Sequence, residues 1–355
     1  MAEAAVASHP DAGSTLVKDE NEETLPILAR RRHGLSAGSY LLSVAALVVI
    51  NFFLPLALPG DPIDALLDPG AVSYVQDENL RSELSEYYGL DRGLGEQFAD
   101  YLGDLVGGEL GTSIRYNTPV ADLIGGRLPW TLLLVLAAVT TAAVVGLIAG
   151  VHSGWHRGRS VDRGMLSLFL TIRNLPVFFL ASIALFVFGV KLGWVPLAGA
   201  RTPFAQFDSQ LAAVADVAHH LVVPAGVLAA RFVADDYLYM RAGMVGELGA
   251  GYLLLGRAKG LRERRLKYRH AARNALLPVV SLVAIQPTQV LTAAIFVAAV
   301  FAYPGLGRLV FDSVSYRDYP TLQACFLMIS LAVVTASFLT DVALRRLDPR
   351  IGGRQ

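Results

Sequence analysis

Three short stretches carry residues at spacings that chemistry uses, and each lacks a part that the chemistry needs. GYLLLGRA, residues 251–258, places two glycines as a phosphate-cradling loop does. Arg257 stands where that loop has the lysine that reaches the β- and γ-phosphates, and Ala258 removes the hydroxyl that binds Mg²⁺. An apolar run precedes the stretch in place of a β-strand. GLSAG, residues 34–38, spells G-x-S-x-G without the strand, turn and helix that strain a nucleophilic serine into exposure. His152 and His156 are one helical turn apart, a spacing that two metal ligands can use, but no third ligand lies near them in sequence. The expectation is a chain with no catalytic residue, metal or cofactor of its own.

Charges inside apolar runs are the remaining candidates. Each costs about 2.5–3.5 kcal/mol near a bilayer centre on insertion scales and is rarely left facing lipid. Arg231, Asp235 and Asp236 lie within residues 221–243, and Arg173 lies within 165–190. Arg231 and Asp235, at i and i+4, can pair as a structural unit or line a path. With Gln286 and Gln289 of the next apolar run, these residues form the candidate translocation path. Arg173 and Asn174 read as the beginning of their span.

The elements that must hold these groups follow from composition. The 355 residues are 54% hydrophobic with a formal net charge of 0, and mean hydropathy is +0.48. That balance excludes a nucleic-acid binder and an ordinary soluble domain. A bilayer core needs roughly 20 helical residues, and six runs qualify: 36–59, 129–151, 165–190, 221–243, 275–302 and 320–342. The expected class is an all-α membrane protein of six transmembrane helices, with 129–344 forming a five-helix core after the first span.

Orientation follows from Lys and Arg, which resist translocation. With a cytoplasmic N-terminus, inside segments hold 19 of the 30 basic residues and outside segments hold 8. Both termini are therefore expected in the cytoplasm, including the tail 345–355. Residues 60–128 contain eight Asp and five Glu against four Arg, with apolar positions at helical spacing in EQFADYLGDLV, and read as a folded extracytoplasmic cap. Residues 1–35 read as a disordered cytoplasmic arm, acidic where a signal peptide would be basic. The single cysteine, Cys325, excludes an intrachain disulfide.

Between the fourth and fifth runs lies GRAKGLRERRLKYRHAARNALLPVV, residues 256–280, in which eight basic residues accompany one acid, Glu263. Attraction to anionic headgroups accounts for charge alone. Its order is more specific. Tyr252, Arg257, Ala258, Lys259, Gly260 and Leu261, followed by Arg269, His270, Ala271, Asn274 and Ala275 through Pro278, resemble the cytoplasmic EAA loop, here 248–275, of the dipeptide/oligopeptide/nickel permease family, the membrane subunits of type I ABC importers. PGDPIDALLDPGA (59–71), LGWVP (192–196), FAYPGLGRL (301–309), RDYP (317–320) and LDPRI (347–351) extend the resemblance over residues 36–351. Leu254, Leu255 and Gly256 depart from the usual polar or small residues, and Ala298 stands where many members have Glu.

The resemblance implies a multi-pass permease of the bacterial plasma membrane that forms half of a path for short peptides. It implies coupling to ATPases through Tyr252, Arg257, Ala258, Lys259, Gly260 and Leu261. It also implies a second homologous permease, two ATP-binding subunits or domains that hold ATP and Mg, and an extracytoplasmic solute-binding protein. Membrane lipid is the remaining partner, and nucleic acid is not one. Relatives carry nickel chelates, glutathione or other small solutes. The rival class, a secondary transporter or channel acting without ATPase subunits, would show ion-handling residues and commonly an internal repeat of spans.

Overall fold

The computed structural model describes residues 37–56, 82–83, 92–283 and 286–347, and they are overwhelmingly helical. The arm 1–35, most of the expected cap and the end of the tail lie outside them. In chain order the helices are α1 (Ala37–Leu56), α2 (Leu94–Gly107), α3 (Val120–Trp155), α4 (Ser160–Asn174), α5 (Val177–Ala184), α6 (Gln210–Glu247), α7 (Gly251–Ala258), α8 (Ala272–Val283), α9 (Gln286–Val300), α10 (Leu306–Ser315) and α11 (Tyr319–Leu347). A π-helical turn, Leu185–Lys191, continues α5, and another, Leu266–Ala271, leads into α8.

Among the described residues, three stretches are long and apolar enough to cross a membrane, Val120–Trp155, Gln210–Glu247 and Tyr319–Val342, and the pair α4 with α5 makes a fourth if taken as one broken span. Helix α3 begins at Val120, nine residues before the expected span, so the end of the region assigned to the cap is already helix. Its 36 residues cover about 54 Å at 1.5 Å per residue, more than a hydrocarbon core. Helix α11 likewise runs to Leu347, past the expected start of the tail.

The run 165–190 is not one helix. Its two halves meet at 103°. Pro176 explains the break: a proline disfavours helical backbone at the residue before it, and Leu175 is extended (φ −80°, ψ 132°). Of the run 275–302, α8 and α9 cover all but 284–285 and the last two residues, and 284–285 lie outside the described residues.

The principal packing is α3 against α6. Side chains added at Gly146, Gly150 and Gly154 would place Cβ atoms 2.5, 2.7 and 2.6 Å from the Cβ atoms of Asp236, Met240 and Met244. Glycine every fourth residue therefore lets the two backbones approach as no larger residue would. Around this seam, one apolar cluster joins α3, α5, α6 and α9 through Leu134, Ala181, Phe232 and Val297. A second, at the Val120 end of α3, joins Ile124 to Leu309 and Cys325. A third, at the Trp155 end, joins Val151, Met240 and Met244 to Leu253, Leu266 and Ala275.

Candidate functional site

Helix α7 and the turn after it sit on that third cluster. Leu253, Gly256 and Leu266 are buried, Leu253 at 0% exposure, and Leu261 is half-buried. Gly256 has no room for a side chain, because a Cβ there would lie 2.5 Å from Leu266 Cδ2. The helix ends in a Schellman motif: Gly260 N–H donates to Arg257 O (2.9 Å) and Leu261 N–H donates to Gly256 O (3.0 Å). Gly260 is at φ +73°, a left-handed backbone that glycine adopts without Cβ strain. A Cβ at Gly260 would meet nothing within 4 Å. The outer side is thus open, and it presents Leu254 and Leu255 at 71% and 55% exposure together with Arg257, Ala258 and Lys259.

Two polar contacts brace this loop. Tyr252 donates its hydroxyl to Glu247 at the end of α6; burial, then that hydrogen bond, raises the phenol's pKa above its ordinary value. Arg257 pairs with Glu263 across the turn (3.0 Å) and lies over the Trp155 ring. The stretch that mimicked a phosphate loop is therefore a helix packed on one side, and no strand precedes it.

Deeper in the bundle, Asp235 accepts from both Arg231 Nη1 (2.5 Å) and Arg173 Nε (2.7 Å). The i, i+4 pair read from sequence exists, but Arg173, in the last turn of α4 before the break, shares the carboxylate and leaves one guanidinium charge in excess. Asp236 points the other way, toward Gly146, and accepts from Gln286 Nε2 (2.5 Å). Asp236 Oδ2 and Gln286 Oε1 are buried with no partner among the described residues. Gln289 is exposed and joins neither group.

A network that spacing did not reveal locks the Trp155 end. Asp162, 2% exposed, accepts from Arg241 Nε and Nη2 (2.7 and 2.8 Å), from Ser153 Oγ (2.5 Å) and from Gly158 N–H (2.9 Å). Because Ser153 donates to Asp162, the Tyr237 hydroxyl 2.7 Å away donates to Ser153. Lys267, also buried, donates to His152 Nδ1 (3.1 Å), which ties the π-helical turn to α3. His156 instead contacts the His152 carbonyl, and no group of three or more metal-ligating side chains occurs among the described residues. The readable signals were Arg241 and Lys267 themselves, basic residues counted with the loop although both turn inward.

At the opposite end, buried Asp318 accepts from Ser113 Oγ (2.5 Å), Ile114 N–H (3.1 Å) and Thr321 Oγ1 (2.8 Å), fastening the segment before α3 to the start of α11. The Thr131 hydroxyl accepts from Leu306 N–H (2.8 Å) and occupies the space that a side chain at Gly305 would need.

This geometry defines a helical membrane protein with paired charges in its bundle and a braced loop open on one side. Residues 124–353 match the family described as binding-protein-dependent transport system inner membrane component. The chain belongs to that family, whose members are permease subunits of ABC importers and not enzymes. It is 38% identical over 308 residues to a Brucella suis protein named as a peptide permease, covering 86% of this chain and 94% of that one. It is 34% identical over 315 residues to the oligopeptide transport system permease protein AppB of Bacillus subtilis, covering 88% and 96%. It is also 33% identical over 327 residues to the glutathione transport system permease protein GsiC of Escherichia coli K12, covering 92% and 99%. Among solved structures, an inward-facing MetNI methionine ABC transporter aligns with a TM-score of 0.50 at 17% identity, over 64% of this chain and 96% of that one. That likeness is one of fold.

Proposed function

We propose that this chain is the permease subunit of an ATP-driven importer of short peptides in a bacterial plasma membrane. Six spans are assigned to α1, α3, α4 with α5, α6, α8 with α9, and α11. Both termini and residues 248–275 face the cytoplasm, and 60–128 form the outer cap. A second homologous permease completes the path, two ATP-binding subunits supply ATP and Mg²⁺ chemistry, and a solute-binding protein docks outside. The proposed path residues are Arg231, Asp235, Asp236 and Gln286, with Arg173 on the Asp235 carboxylate.

The observation that carries this reading is the two-sidedness of residues 252–266. One side is fixed to the ends of α3 and α6 through Leu253, Gly256, Leu261 and Leu266, and the other offers leucines and cations to open space. A partner that presses on the open side moves the helices behind it, because a close-packed cluster transmits a displacement instead of absorbing it. ATP-driven closure of two docked subunits would in this way bias a two-state rearrangement of the spans.

Short peptides are assigned because the Brucella suis and Bacillus subtilis relatives are named for them. The GsiC relative favours glutathione as a second reading. The test is reconstitution with the co-purified ATPase subunits, second permease and binding protein, followed by uptake of labelled dialanine and of labelled glutathione. Uptake that requires ATP supports the assignment, and the preferred cargo selects between the readings. Uptake driven by an ion gradient without the ATPases would overturn it.

A further inference from the structure

The basic segment that follows the coupling turn forms a site of its own. Arg262, Arg264, Arg265, Tyr268 and Arg269 line an open cleft of about 410 Å³. None of the four arginines has a carboxylate partner among the described residues, since the one acid of the segment, Glu263, is taken by Arg257. Four guanidiniums around one cleft repel one another, and nothing within the described fold offsets that. The cleft is nevertheless held in place. Leu266 and Ala271, five residues apart on the π-helical turn, are buried at 1% and 0%, and Lys267 is drawn inward to His152. Anchored this way, the turn leaves its arginines and Tyr268, 46% exposed, facing outward. π-helical turns of this kind are frequent at functional sites.

The cleft's place in the chain identifies the occupant. Immediately after it, α8 begins and the sequence turns apolar from Ala275 onward, so the cleft lies at headgroup level where the fifth span enters the bilayer. Arginine forks match phosphate oxygens bidentately, and an exposed tyrosine is suited to the same interfacial layer. We propose that this cleft is a binding site for the phosphate headgroup of an anionic phospholipid, separate from the surface that meets the ATPase. A bound lipid would neutralise the cleft and fix the π-helical turn, and through Lys267 and His152 it would fix the end of α3.

The experiment compares the triple variant R264Q/R265Q/R269Q with R157Q/R159Q/R163Q, which removes the same charge from exposed positions in the turn between α3 and α4 and the first turn of α4. Each is purified as the full transporter in nanodiscs containing a fluorescent phosphatidylglycerol in a phosphatidylcholine background, and lipid affinity is read by quenching. A charge-assisted hydrogen bond to a headgroup phosphate contributes at least roughly tenfold, so the cleft triple should lose affinity by on the order of a hundredfold or more. The control triple should lose far less, and the cleft triple should keep its ATPase subunits. Equal losses in both triples would reduce the cleft to nonspecific attraction and overturn the proposal. Release of the ATPase subunits with lipid affinity intact would also overturn it, by assigning the cleft to a protein surface. Displacement of the lipid by millimolar inorganic phosphate alone would overturn it in favour of a free-anion site.

Discussion

Asp235 serves two arginines, and this decides how charge changes should behave. From sequence alone, Arg231 and Asp235 form a pair that a double reversal restores. With Arg173 Nε 2.7 Å from the same carboxylate, the exchange R231D/D235R sets two guanidiniums against each other. Asp235→Asn should lower the stability of the assembled complex by about 3 kcal/mol, the low end for a broken buried pair because both arginines are partly exposed. The double exchange should not recover that loss, as read from the thermal unfolding midpoint, whereas adding Arg173→Asp should recover part of it. Full recovery by the double exchange would show that Arg173 is incidental. Arg231 and Asp235 were legible because their spacing is local. Arg173 and Asp162 were not, because their partners lie 62 and 79 residues away and meet them only when α4 packs on α6.

Small residues and prolines govern the elements. Gly146 and Gly150, with Gly154, form the seam between α3 and α6, where added Cβ atoms collide with backbone as well as side chains. Gly150→Ala would place its methyl 2.8 Å from Tyr237 O and 2.7 Å from Met240 Cβ, so the helices must part. A loss of about 2 kcal/mol or more is expected, in the range seen for overpacked cores. Gly126→Ala lies on the same helix with nothing within 4 Å, and it should be neutral or stabilising by up to about 1 kcal/mol through helix propensity. Thermal unfolding in detergent compares the two, and equal effects would show that the seam tolerates separation. A small-xxx-small pattern in a Gly- and Ala-rich run carries little weight in sequence, since it does not say which face meets a neighbour. The break at Pro176 was written in the sequence more openly than the expected span 165–190 allowed. The length of α3 was hidden because its first turns are too polar to register as membrane.

For the whole molecule, the apolar runs located most of the helices, and the order of motifs from the cap to the tail pointed to the permease family. Hydropathy could not give the sharp bend between α4 and α5, because it averages over Pro176. Orientation rests on the distribution of Lys and Arg, and two of the cytoplasmic count, Arg241 and Lys267, are turned into the protein. The asymmetry survives their removal. Single cysteines replacing Asp77 or Lys259 in a Cys325→Ser background should react with an impermeant thiol reagent only from outside and only from inside, respectively. Cys325 is the single native cysteine, so its replacement by Ser removes all native thiol background. Reversed labelling would invert the assignment of ATPase and binding-protein faces.

The coupling role of the turn at Gly260 is the central claim, and the surroundings of Gly260 make it separable from stability. A Cβ there meets nothing within 4 Å among the described residues, and the left-handed backbone at Gly260 costs a non-glycine residue about 1–2 kcal/mol. Gly158, at φ +80° with nothing within 4 Å, carries the same penalty at the turn between α3 and α4 and is the matched control. The decisive measurement is ATP hydrolysis by the full transporter in nanodiscs, with and without the loaded binding protein, for both variants. Loss of the stimulated rate in Gly260→Trp, with stimulation retained in Gly158→Trp, is the predicted result. Normal stimulation in Gly260→Trp, or equal loss in both, would contradict the coupling role.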